Sequence, residues 1–142
     1  MILTSKKCLE VLGEPDRERD MGSYMILPPM RHIPARIYCN RRFIDPFQQG
    51  LANVRSAGLG ELIITWDGCF NIRRKKGGST WSLHSWGVAF DINAAWNRFG
   101  KKPTMDGRLV KCFKDAGFDW GGDWKNPDGM HFQLTEGVFL RG

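Results

Sequence analysis

No apolar run in the sequence approaches the roughly 20 residues that a helix needs to cross a bilayer, and the first residues, Met-Ile-Leu-Thr-Ser-Lys-Lys, lack the long apolar stretch of a secretory signal. A soluble chain made in a cytoplasm, without membrane insertion, is the expectation. The 4 cysteines, Cys8, Cys39, Cys69 and Cys112, never form a C-x-x-C pair. That spacing signals neither a thiolate zinc knuckle nor a disulfide framework, so they read as buried or free thiols. Histidine is scarce, at 3 residues, and H-E-x-x-H is absent, which excludes a helix-borne zinc site of that type. There is no internal repeat and no βαβ alternation. The net charge of +6 favours an anionic partner, but no recognition helix or RNA-binding motif accompanies it, so nucleic acid is not expected.

What is present suits one domain over residues 1–142, because 42% hydrophobic residues in a chain of this length can bury a core. A short helix is predicted over residues 4–12, capped by Thr4 or Ser5 and stopped by Gly13 and Pro15. Residues 16–34, with three prolines and no period, read as an irregular surface connector in which His32 has no ligand-spaced partner. A second helix is predicted with Asp45 as cap, Pro46 in the first position and Gln48 completing the capping box; Phe47, Leu51 and Val54 share its apolar face and Gly58 stops it. Residues 62–66 read as a strand and residues 104–116 as a helix with Leu109, Val110, Phe113 and Ala116 inward. Residues 87–93 and 130–134 both alternate with period two, as half-buried strands do. That period puts Val88, Phe90 and Ile92 toward the core, opposite Asp91, and sets Phe132 and Leu134 opposite His131 and Gln133. The fold class expected is α+β, a small antiparallel sheet with packed helices.

Two of the three histidines sit in segments rich in Gly, Trp and Asp: Ser82-Leu83-His84-Ser85-Trp86-Gly87-Val88-Ala89-Phe90-Asp91, and Asp128-Gly129-Met130-His131-Phe132. If the two strands are neighbours, His84, Asp91 and His131 converge. Two imidazoles and one carboxylate leave a zinc ion one open position, which is the ligand count of a catalytic site; a structural zinc wants four protein ligands. The basic run Arg73-Arg74-Lys75-Lys76 beside Gly77-Gly78 reads equally well as a solvated loop and as a working surface.

The pattern S-x-H-x-x-G-x-A-x-D followed by D-x-x-H resembles the signature of the LAS metallopeptidases. These comprise the D-Ala-D-Ala dipeptidases and carboxypeptidases, the phage L-alanyl-D-glutamate endolysins and the hedgehog signalling domain. The likeness runs over residues 68–134 and takes in Gly68-Cys69-Phe70-Asn71-Ile72-Arg73 and Trp120-Gly121-Gly122-Asp123-Trp124. It implies a hedgehog/DD-peptidase-like fold with zinc held by His84, Asp91 and His131. It further implies that Asp128 is the general base acting on the attacking water, and that Arg73 steadies the substrate carbonyl as it becomes an oxyanion. Motif count selects Arg73 over the adjacent Arg74. Trp86 and Trp124 are expected near the cleft rim, without an assigned role. Asp where dipeptidases and carboxypeptidases usually carry Glu, together with the compact length, resembles the phage endolysins. A monomer made in the host bacterial cytoplasm and cutting peptidoglycan, whose anionic surface its charge would help it hold, is then the expectation. Hydrolysis of D-Ala-D-Ala by a carboxypeptidase, and a non-enzymatic zinc-containing binding module, are the alternatives.

Overall fold

The computed structural model describes residues 1–75 and 77–142. Helix α1 (Ser5–Leu12) starts as predicted: the Thr4 hydroxyl accepts the Lys7 N–H at 3.2 Å, and Gly13, at φ 77°, closes the helix. The connector expected over residues 16–34 is partly regular. It contains β1 (Met21–Met25), paired antiparallel with β2 (Arg36–Asn40), Met21 opposite Asn40. Gly22 and Ser23 carry little strand propensity, so backbone pairing rather than side-chain pattern makes this strand.

Helix α2 (Ile44–Ser56) begins one residue before Asp45, which lies in its first turn and is not the cap; Phe43 takes that place with no side-chain bond. The cause lies upstream. Asn40 closes a turn by accepting the Arg42 N–H on its side chain and the Phe43 N–H on its carbonyl, both at 2.9 Å. That turn drops the fully buried Phe43 into the core and starts the helix there. Pro46 remains among the first four helical residues, whose N–H groups have no intrahelical acceptor.

The strand predicted over residues 62–66 does not form; a 3-10 turn (Gly60–Leu62) is followed by β3 (Trp66–Gly68). A single side chain accounts for the difference. Asn93 Oδ1 accepts the N–H groups of Ile64 and Thr65 at 2.8 and 3.1 Å, and its Nδ2 donates to the Leu62 carbonyl at 2.8 Å. These are bonds that a strand ladder would otherwise have to supply. Strand β4 (Ala89–Ile92) follows, then α3 (Gly107–Lys114), β5 (Phe118–Trp120), β6 (His131–Leu134) and α4 (Glu136–Arg141). The α3 helix is shorter than the predicted 104–116. Asp106 caps it, and the N–H groups of Thr104 and Met105 go instead to Asn97 Oδ1. No reading of the sequence anticipated α4.

Among the described residues, four helices and two antiparallel sheets make an α+β fold, as expected. The larger sheet has the order β3-β4-β6-β5, with Phe90 opposite Phe132 and Asp91 opposite His131. On one face Phe90 is the hub of an aromatic core. Its ring lies 4.9 to 6.0 Å from those of Phe43, Phe47, Trp66, Phe113, Phe118 and Phe132. Gly50 lets α2 close on α3, since a Cβ there would stand 2.5 Å from the Phe113 ring. The opposite face, expected to be half open, is also buried: every residue of β4 and β6 is. Among the described residues, no helix is long and apolar enough to cross a membrane.

Candidate metal centre

Strand register does most of the work of assembly. Asp91 and His131 are direct partners across the β4–β6 ladder, so their side chains leave the sheet on the same face, side by side. His84 comes from a 3-10 turn (Leu83–Trp86) that enters β4; the Ser82 hydroxyl accepts the His84 N–H at its start, and Gly87, at φ 66°, ends it. Only glycine fits at 87, where a Cβ would meet the Asn40 backbone nitrogen at 2.8 Å.

The three side chains predicted to be ligands meet. His84 Nε2 and His131 Nδ1 each stand 3.2 Å from Asp91 Oδ1 and 3.3 Å from one another. Ligand atoms at about 2.0–2.1 Å from a tetrahedral dication are separated by about 3.3 Å, so this nearly equilateral triangle has the size that such an ion requires. Among the described residues this is the one grouping of three or more His, Cys, Asp or Glu side chains able to hold a metal. All three are buried. Burial opposes ionisation of Asp91, yet the two imidazoles outweigh it and hold the carboxyl well below its usual range. Burial likewise works against a charged His131, but Asp91, Asp128 and Gln133 outweigh it and raise that imidazole's pKa.

Each imidazole is also gripped from behind. His84 Nδ1 lies 2.7 Å from the Cys69 carbonyl, and His131 Nε2 lies 2.9 Å from Gln133 Oε1. A carbonyl accepts only, so each of these nitrogens carries the proton and the opposite ring nitrogen turns its lone pair to the centre. Sequence reasoning missed both supports. Alternation along β6 put Gln133 on the face of His131, two residues away, and that was the available signal; the Cys69 carbonyl left none.

The triangle floors a cleft of about 910 Å³ whose lining includes both predicted catalytic residues, Asp128 and Arg73. Asp128 sits in a turn that hands its carbonyl to the His131 N–H at 3.1 Å and its N–H to the Gly121 carbonyl at 2.9 Å. Burial, and secondarily the Asp91 charge, raise its pKa against the pull of His131, His84 and Arg73, which suits a proton acceptor. Arg73 is fixed by its backbone, which both donates to and accepts from Ser85 Oγ at 3.0 and 2.9 Å, leaving its guanidinium at the cleft. Arg74 is engaged elsewhere, over the Trp81 ring at 3.5 Å and on the Ser79 carbonyl at 2.7 Å. Of the basic run, Lys76 lies outside the described residues.

Trp124 is at the cleft, its ring 5.5 Å from that of His131, but Trp86 is not: it is buried, with its indole N–H on the Gly13 carbonyl. Its large apolar ring is worth more in the core than at a rim. His32 lies apart, with Nδ1 2.9 Å from the Ile63 carbonyl. All four cysteines are buried and free.

Residues 76–134, a segment that holds the ligand triangle and Asp128 but begins after Arg73, match the family model described as D-alanyl-D-alanine carboxypeptidase. Over that segment the chain is similar to the family of that description, in keeping with the LAS-type resemblance of its motifs, and the same segment carries a buried His-Asp-His group able to hold a metal ion.

Proposed function

We propose that this protein is a zinc-dependent peptidoglycan endopeptidase that cuts the stem peptide between L-alanine and D-glutamate, as a phage endolysin does. The observation that carries the reading is the ligand triangle in a cleft whose lining also includes Asp128 and Arg73. A zinc ion bound by His84, Asp91 and His131 supplies a Lewis acid that acidifies water and polarises the scissile carbonyl. Asp128 accepts the proton of the attacking water and passes it to the departing amine of D-glutamate. The Arg73 guanidinium faces the carbonyl oxygen as it gains charge, in a partly dry cleft where such a contact is strong.

The cleft rim suits a polycarboxylate peptide. Arg73, Lys75, Arg98, Lys101 and Lys125 are exposed and line it. None is in an ion pair among the described residues. Cleavage before a D-glutamate linked onward through its γ-carboxyl leaves a free carboxylate beside the scissile bond. The enzyme is a monomer made in the host cytoplasm, and it reaches the wall once the membrane is permeabilised.

The description of the matching family favours a second reading, removal of the terminal D-alanine. Mass spectrometry of digested, purified peptidoglycan separates the two. New N-terminal D-glutamate without free D-alanine is the expected result; free D-alanine as the main product hands the case to the carboxypeptidase.

A further inference from the structure

Behind the ligand triangle a chain of hydrogen bonds runs from His131 through Gln133 to Leu3. His131 Nε2 meets Gln133 Oε1 at 2.9 Å, and Gln133 Nε2 donates to the Leu3 carbonyl at 2.8 Å. Gln133 and Leu3 are 3% and 2% exposed, so water does not compete for these bonds.

We propose that Gln133 is a positioning residue for the metal: oriented by the Leu3 carbonyl, it dictates which nitrogen of His131 faces the ion. The inference rests on the zinc reading above. An amide can present either its oxygen or its NH₂ to a neighbour. The Leu3 carbonyl offers no proton, so the Gln133 NH₂ must turn to it and the amide oxygen must turn to His131. That oxygen offers no proton either, so His131 Nε2 must bear one. The remaining nitrogen, Nδ1, then points a lone pair at the centre, 3.2 Å from Asp91 Oδ1. Each step follows from the previous one by the donor and acceptor count alone. The N-terminal segment thereby becomes part of the metal centre, and Ile2, Leu3 and Thr4 line the cleft as well.

The test compares zinc affinity, by competition with a chromophoric chelator, in the wild type, Gln133→Met and Gln133→Glu, with thermal unfolding of each zinc-free protein as a check on the fold. Methionine has nearly the same shape but cannot accept the imidazole proton, and its affinity is expected to fall about 10- to 100-fold. Glutamate loses the bond to Leu3 but keeps the acceptor, and is expected to hold zinc as the wild type does. Equal affinity of the methionine variant and the wild type overturns the proposal, and so does an equal loss in both variants, which would mean that packing and not the acceptor matters. Should either variant fail to fold, nitrogen-15 NMR of the zinc-loaded wild type decides: His131 is expected to bind through Nδ1 with its proton on Nε2, and binding through Nε2 overturns the proposal. A wild type that takes up no zinc removes the metal reading itself, an outcome distinct from wild-type binding with an indifferent Gln133.

Discussion

At the scale of single residues, metal binding and proton transfer are assigned to different side chains, and substitution should separate them. His84→Ala and His131→Ala each remove one corner of the triangle and are expected to lose both zinc and activity. Asp128→Asn is nearly isosteric and touches no corner, so it should keep the zinc and the fold while slowing peptidoglycan hydrolysis about 100- to 10,000-fold. Arg73→Ala should lower kcat about 100- to 1,000-fold, and Arg74→Ala much less, since its guanidinium is spent on Trp81 and Ser79. Zinc content and hydrolysis rate measured side by side check all five variants; loss of zinc from Asp128→Asn would make Asp128 a ligand. The triangle was legible in the sequence because the demands on it are local: a period of two fixed the face of Asp91 and of His131, and the motif spacing supplied His84. For Gln133 the alternation of β6 showed the face but not the orientation of its amide, which depends on Leu3, 130 positions away.

At the scale of elements, the turn that delivers Asp128 depends on a glycine. A Cβ on Gly121 would stand 2.5 Å from the Asp128 carbonyl oxygen and 3.0 Å from its Cβ. Gly121→Ala should therefore displace the proposed base, while the nearest atoms to the added methyl all belong to Asp128 and none to a ligand side chain. Misplacement by about 1 Å costs on the order of 100-fold in rate, so kcat is expected to drop while chelator competition finds zinc affinity unchanged. An unaltered kcat would show that the turn tolerates the methyl group. The elements themselves were legible where periodicity is strong, in α1, α2, α3, β4 and β6. It failed where one side chain stands in for a neighbouring strand, as Asn93 does for residues 62–65, or where backbone pairing holds a weak sequence, as in β1. Boundaries moved for the same kind of reason, with Asn40 and Asn97 each taking backbone groups that a cap or a first turn would have used.

For the whole molecule, the sheet is a partition. An aromatic core lies on one side and a polar, buried reaction face on the other, and β4 and β6 supply both through alternate residues. Of the cations at the cleft rim, Arg98, Lys101 and Lys125 have no part in the proposed chemistry and should act on encounter with the proposed wall substrate. The triple substitution Arg98→Gln, Lys101→Gln, Lys125→Gln is expected to weaken sedimentation with peptidoglycan and raise KM, with kcat and zinc content near wild type. The difference should fade toward about 1 M salt, where charges are screened within about 3 Å. Persistence at that ionic strength would assign the effect to shape and not to charge. Two outer segments have unequal surroundings: residues 2–4 form part of the cleft wall, while no residue of α4 does. A change at residues 2–4 would therefore be felt at the entrance, whereas a surface change on α4 would leave it clear.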